Sequence, residues 1–500
     1  MSTIRVRRSG LITFAIKLSS TLTGLAFVVL VTSNLTQSDF GLWNLISRSI
    51  AYVVFAANVL SFWTIRYRAR GMKLGKSVIS GALIFSAVMS LIYLGISYGL
   101  AANSPNFFFF SLSAPQVTLY IVAGTIEAIL WGSIPEKASL GFGLFEIAKV
   151  LIGAVTVGLL HLSLEGAILA VMGAQLVQIA TTLVLTRNEY GDRLSFPLIQ
   201  KMVKTGWVAI LDKIQPLVIN FDILLVFVVT TSLIPISLFG AAYVLGAVIT
   251  YSGWLAAGLY TGLLSGMDPG KSTSQVLEIQ YAFILPMVIG EIVLRTRLLD
   301  LLSPLYSSAA PILVALAVAS AFNALSQTFD NVITGTDTTD SQSTADFRLY
   351  LRSKLFLVAK INVGLASGYL ITVTILARAI GMQTQNILGL QPYDLLGLLW
   401  GATALGMWGL AVALKLPHVV KLSKVTVPVR TALAYALGST GFALTLYFLD
   451  SIVMTPHGKL MQAAYILAIG VISLSVYGAI VLTISPDLRK LVRAALQVVM

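Results

Sequence analysis

Charge is scarce in this chain. Only 11% of its 500 residues are Asp, Glu, Lys or Arg, against roughly 25% in an ordinary soluble domain. With 57% hydrophobic residues and a mean hydropathy of +0.89, too little polar surface remains to coat a water-soluble particle. Cysteine is absent, which excludes disulfides, thiolate metal sites, Fe–S clusters and cysteine nucleophiles. The three histidines, His161, His418 and His457, lie far apart and lack the i, i+4 spacing of a zinc-binding helix, so no histidine-based metal site is expected. There is no GxxxxGK[ST] phosphate loop, which argues against ATP hydrolysis by this chain. The longest polar stretches, 187–202 and 335–353, are too short to fold as catalytic or nucleic-acid-binding domains. Neither a cofactor nor a nucleic-acid partner is expected.

What the sequence has instead is a succession of long apolar runs. A hydrocarbon core about 30 Å thick takes about 20 apolar residues of helix. Fourteen segments meet that requirement: 10–33, 40–62, 77–101, 113–135, 140–160, 165–186, 203–230, 236–263, 276–294, 306–334, 354–378, 393–414, 430–450 and 460–484. The first is too long for a cleavable signal peptide and no small-residue cleavage site follows it. An even number of spans puts both termini on one side. If that side is cytoplasmic, 24 Lys and Arg fall in inside segments and 4 in outside segments. Such a split is the positive-inside pattern. It turns the net charge of +13 into a topology signal, N-in and C-in, with no need for nucleic acid. The expected class is an all-α integral membrane protein.

The chain also echoes itself. Ser38-Asp39-Phe40-Gly41-Leu42-Trp43-Asn44 follows helix 1, and Ser237-Leu238-Phe239-Gly240-Ala241-Ala242-Tyr243 follows helix 7, 199 residues later. Each places Phe-Gly and then an aromatic at the start of a returning span. That spacing predicts parallel repeats, a known transporter plan: an N-lobe of helices 1–6 (residues 1–190), a C-lobe of helices 7–12 (191–415), and two appended helices with a cytoplasmic tail (416–500).

These residues carry a resemblance. Leu35-Thr36-Gln37-Ser38-Asp39-Phe40-Gly41-Leu42-Trp43-Asn44 resembles the first hairpin of the Wzx-type polysaccharide and O-antigen flippases, of the multidrug/oligosaccharidyl-lipid/polysaccharide (MOP) exporter superfamily. Ile65-Arg66-Tyr67 fits the end of helix 2, and Leu164-Glu165-Gly166-Ala167 the start of helix 6. Asn220-Phe221-Asp222-Ile223-Leu224-Leu225-Val226 with Phe239-Gly240 and Tyr243 is similar to the helix 7–8 pattern. Leu302-Ser303-Pro304-Leu305-Tyr306 and Ala309-Ala310-Pro311-Ile312-Leu313 are similar to the start of helix 10. The segment 136–141 departs, being shorter than the usual helix 4–5 connection. The resemblance implies two six-helix lobes around a polar cavity lined by helices 1, 2 and 7. It implies a flippase moving a prenyl-linked oligosaccharide from the inner to the outer leaflet of a prokaryotic cytoplasmic membrane, with glycan-assembly enzymes as companions.

Ionisable residues inside a membrane cost a few kcal/mol each by insertion scales, so they face cavities or partners. Five bases are embedded, Lys17, Arg48, Lys149, Lys213 and Lys360, and seven acids lie in or near spans, Glu127, Glu146, Asp212, Asp222, Glu278, Glu291 and Asp330. Arg48, Lys17 and Lys213 are the candidate grip on a lipid pyrophosphate, because a guanidinium binds phosphate bidentately and an ammonium adds a point charge. Lys360 is read either as a fourth cavity base or as a side chain reaching the cytoplasmic interface. Glu146–Lys149 and Glu291–Arg295 have helix-neighbour spacing and are expected to pair. Glu127, an isolated mid-span acid, and Asp222 are candidate proton or Na⁺ coupling sites, or else interhelical partners. Pro216 and Pro286 are candidate hinges. Trp63, Trp400 and Tyr350 are expected at the membrane interface.

Two other functions compete with a flippase. A drug/cation antiporter of the same superfamily should have an acidic cavity and twelve helices. A membrane glycan polymerase or glycosyltransferase should carry acids in a sizeable outer loop, whereas Asp39, Glu165, Asp300, Asp394 and Asp450 are scattered over five outer segments.

Overall fold

In a bilayer only a helix satisfies every backbone group within its own segment, and all regular structure among the described residues is helical. The computed structural model describes residues 20, 23–69, 72–132, 135–190, 194–204, 215, 218–256, 259, 263, 268–337, 351–380, 391–424, 429–452, 458–484 and 489. Among these, ten helices are long and apolar enough to cross a membrane, or eleven if one bent pair is a single span. The predicted spans 10–33 and 203–230 lie in good part outside the described residues. The chain is thus a multi-pass membrane protein, and large apolar side chains such as Leu91, Val184, Leu444 and Val471 stand exposed on helix faces, as lipid contact requires.

The helices fall into two compact units. The first, residues 1–240 and 370–396, contains α1 (Thr23–Asn34), α2 (Gln37–Val54), α3 (Asn58–Ala69), α4 (Gly75–Ala101), α5 (Phe107–Trp131), α6 (Pro135–Gly153), α7 (Ser163–Leu185), α8 (Phe196–Lys204) and α9 (Phe221–Thr230). Helices α4 and α5, α6 and α7, and α5 and α7 pack along their lengths. The predicted break at His161 is present: α6 loosens into a π-turn at Ala154–Leu159, and His161 and Ser163 take positive φ before α7 begins. The run Phe107–Phe110 lies inside α5, so this span starts six residues before its predicted position, and Pro115 sits within it.

The second unit, residues 241–369 and 397–500, takes in the latter half of α10 (Ile234–Gly246) with its 3₁₀ extension Ala247–Ala256, then α11 (Pro269–Val293), α12 (Arg295–Leu302), α13 (Ala310–Gly335), parts of α14 (Lys354–Ile380) and α15 (Pro392–Ser423), α16 (Val429–Ile452) and α17 (Lys459–Ile484). Its core joins Ile249, Leu277, Ile284, Ala317, Ala324, Phe329, Val332 and Val419. Helix α15 runs nine residues beyond its predicted end, through Pro417. Trp400 corrects the interface expectation: it is fully buried and its indole N–H donates to the Tyr369 hydroxyl at 2.7 Å. Tyr350 lies outside the described residues.

The two Phe-Gly motifs have a packing reason. A Cβ on Gly41, near the start of α2, would run into the Leu233 backbone oxygen just before α10, and a Cβ on Gly240 would come within 2.6 Å of the Asn44 side-chain amide. Gly41 lets α2 approach the backbone just before α10, and Gly240 makes room for the Asn44 side chain.

Candidate functional site

The second span is broken. Helix α2 is opened by Thr36, whose hydroxyl accepts from the Asp39 N–H at 3.1 Å, a side-chain N-cap. It tightens to a 3₁₀ turn at Phe55–Ala57 and resumes as α3 at an angle of 54°. Discontinuous spans are where transporters build binding sites. Against this break, in the first unit, lies a cavity of about 410 Å³. Trp43, Ser47, Phe55 and Ser61 line it from the broken span, and Gln116, Tyr120 and Gly124 from α5.

Arg48 lies on α2 beside Ser47, half-buried. Its Nη1 donates to the Asn220 side-chain oxygen. One turn further on, Tyr52 meets Phe221 edge-on at 4.1 Å between ring centres. Arg48 and Tyr52 thus tie α2 to the start of α9. Asp222, two residues past Asn220, is buried, and one of its oxygens accepts from the Ile223 N–H at 2.7 Å.

Glu127 is less isolated than its sequence position suggested. Its two oxygens accept from the Trp131 indole at 2.9 Å and from the Gln178 amide at 3.1 Å. Glu146 and Lys149 pair as expected, at 2.9 Å, with the ammonium also 5.3 Å from the Phe27 ring centre and 5.1 Å from that of Phe145. Lys360 is exposed and lies 4.8 Å over the ring of Phe356, one turn earlier on its own helix. Pro286 is buried inside α11, which continues through it. Lys17, Lys213 and Pro216 lie outside the described residues. The Glu291–Arg295 pair does not form: Arg295 donates instead to the Ile292 carbonyl at 2.8 Å, and Glu291 Oε2 is buried without a hydrogen-bond partner.

One cluster escaped the sequence reading. Lys415, one residue beyond the predicted span 393–414, is fully buried in α15. Its ammonium lies 2.7 Å from an Asp330 carboxylate oxygen and donates to the Ser326 hydroxyl at 2.7 Å. Asn362 donates to the other Asp330 oxygen at 3.2 Å. The predicted span ended at residue 414, which put Lys415 just outside it. The available signal was Asp330, an embedded acid that requires a base.

Solved structures share this fold. One described as the lipid II flippase MurJ in an inward closed conformation matches 94% of this chain and 99% of its own length, with a TM-score of 0.59 at 14% identity. An inward-facing MATE-family multidrug resistance transporter of the MOP superfamily matches 83% of this chain and 98% of its own, with a TM-score of 0.57 at 13% identity. A MOP-superfamily transporter from Pyrococcus furiosus, described by the reversed polarity of its binding pocket, matches 84% and 95%, with a TM-score of 0.50 at 13% identity. No family model matches the chain, and no curated protein matches it in sequence. The chain has the fold of the MOP-superfamily membrane transporters, and these neighbours are transporters and a flippase, not enzymes.

Proposed function

We propose that this protein is a flippase for a prenyl-(pyro)phosphate-linked glycan, carrying it from the cytoplasmic to the outer leaflet of a prokaryotic cytoplasmic membrane by alternating access of two six-helix lobes. Arg48 carries the reading. It is a guanidinium embedded within a broken span, and the Asn220 side chain accepts from its Nη1, which helps hold the fork in place. A planar fork with fixed charge suits the paired oxygens of a phosphate. Lys17 and Lys213 are proposed as further charges on the same anion. The exposed position of Lys360 favours its interfacial reading. Asp222 is the acid we assign to coupling. Glu127, with both oxygens engaged, we read as an interhelical tie. The 94% coverage by the flippase fold, against 83% for the MATE fold, supports a flippase over a drug antiporter.

The test is reconstitution in proteoliposomes with a fluorescent lipid-linked oligosaccharide. Arg48→Ala lowers the initial translocation rate at least tenfold at equal protein density, and Arg48→Lys retains part of it. Unchanged translocation in Arg48→Ala removes this residue from the mechanism. Cation-driven efflux of an organic dye, without glycan translocation, would instead identify an antiporter.

A further inference from the structure

Among the described residues, the lining of the cavity in the first unit contains no charged side chain, although an arginine stands on the same helix. Its polar groups are two hydroxyls, a carboxamide and a phenol, set among aromatic rings. Helical serines and threonines in apolar surroundings usually donate back to a carbonyl one turn earlier. Many here do so, as Ser49 to Leu45 at 2.8 Å and Thr64 to Leu60 at 2.7 Å. Ser47 and Ser61, which line the cavity, have no hydrogen-bond partner among the described residues. Gln116 uses its N–H₂ on the Ile168 carbonyl at 3.2 Å, and its own oxygen has no partner among them. Three hydrogen-bonding groups are therefore held facing a volume of about 410 Å³, beside the rings of Trp43, Phe55 and Tyr120.

We propose that this cavity binds a neutral sugar ring. Such a ring has a face of C–H bonds and a rim of hydroxyls. An aromatic wall covers the face, and hydroxyl and carboxamide groups, which both donate and accept, serve the rim. A hydrocarbon chain would leave Ser47, Ser61 and Gln116 unsatisfied, and a charged group would find no countercharge among the described lining residues. The inference rests on the glycan-flippase reading and adds to it: the broken span holds a neutral sugar of the cargo in this cavity, while the anionic linkage is held by the bases named above.

Gly124 supplies a clean test. It lines the cavity, and a Cβ built on it meets nothing within 4 Å. Gly124→Leu therefore starts an apolar side chain into this space from a position where its Cβ meets nothing, and leucine is the better helix former. The experiment is saturation-transfer NMR on the protein in nanodiscs, with the methyl glycosides of glucose, galactose and N-acetylglucosamine as probes and methyl glucuronide as the charged comparison. At least one neutral glycoside is expected to receive saturation at its ring protons. That signal falls at least fivefold in Gly124→Leu and in Ser47→Ala/Ser61→Ala, and the glucuronide binds at least tenfold more weakly. No signal from any neutral glycoside, or a signal indifferent to Gly124→Leu, overturns the proposal. The translocation assay run in parallel separates it from the reading it rests on. Translocation by the wild type without cavity-dependent sugar binding sinks the subsite alone. Cavity-dependent sugar binding without translocation sinks the flippase alone.

Discussion

Two polar clusters, one in each unit, are built in opposite ways. In the second unit Lys415, Asp330, Ser326 and Asn362 close on one another, joining α13, α14 and α15. In the first, Ser47, Ser61 and the Gln116 oxygen face open space against a broken helix. A buried charge must be compensated inside the protein, because removing one partner strands the other at a cost of about 3–5 kcal/mol. A neutral hydroxyl left facing a cavity costs far less. An arrangement that ties helices can therefore be built from ions, and one that waits for a ligand is better built from neutral groups.

This contrast can be broken most severely at Asp330. Asp330→Asn leaves the fully buried Lys415 ammonium without its counterion, and a loss of about 3–5 kcal/mol is expected. It would appear as a large drop in the melting temperature of the purified protein. Lys415→Met should cost less, because the Asp330 side chain keeps 23% exposure and can hydrate or take a proton. The double variant Asp330→Asn/Lys415→Met should recover most of the loss. Without recovery, the pair is not the electrostatic unit described here. A smaller effect is expected at Trp131. Replacing it with Phe removes the indole donor to Glu127, for a loss of about 1–3 kcal/mol; an unchanged melting temperature would mean that this tie carries no stability. Smallest is Ser47→Ala/Ser61→Ala, which removes no hydrogen bond among the described residues and should shift stability by no more than about 0.5 kcal/mol. A cost near that of Asp330→Asn would show that these hydroxyls serve the fold.

Much of the helix pattern was legible in the apolar runs, because span length is dictated by bilayer thickness. The break at His161 was also legible, and so was the Glu146–Lys149 pair, where a spacing of three residues brings two side chains together by helix geometry alone. Glu291–Arg295 had comparable spacing and failed, because the Ile292 carbonyl offered the guanidinium a nearer partner. Lys415 was placed outside because its predicted span ended at residue 414, whereas α15 continues through Pro417 to Ser423. Within an α15 packed on its neighbours, a proline costs a helix one hydrogen bond and need not end it. Trp400 was misread for a related reason: an indole near a predicted span end suits the interface, but the Tyr369 hydroxyl gives its N–H a partner in the interior.

By itself the sequence determined that the chain lies in a membrane and where most of its helices run. It also marked which charges are costly and which glycines recur, because hydropathy, charge and period are local properties. Only the tertiary structure decided how the polar groups are used. It joined Lys415 to Asp330 across 85 residues, engaged both oxygens of Glu127, and left Ser47 and Ser61 facing a cavity. Those outcomes depend on which helix faces meet, and a face acquires its chemistry only from what is packed against it.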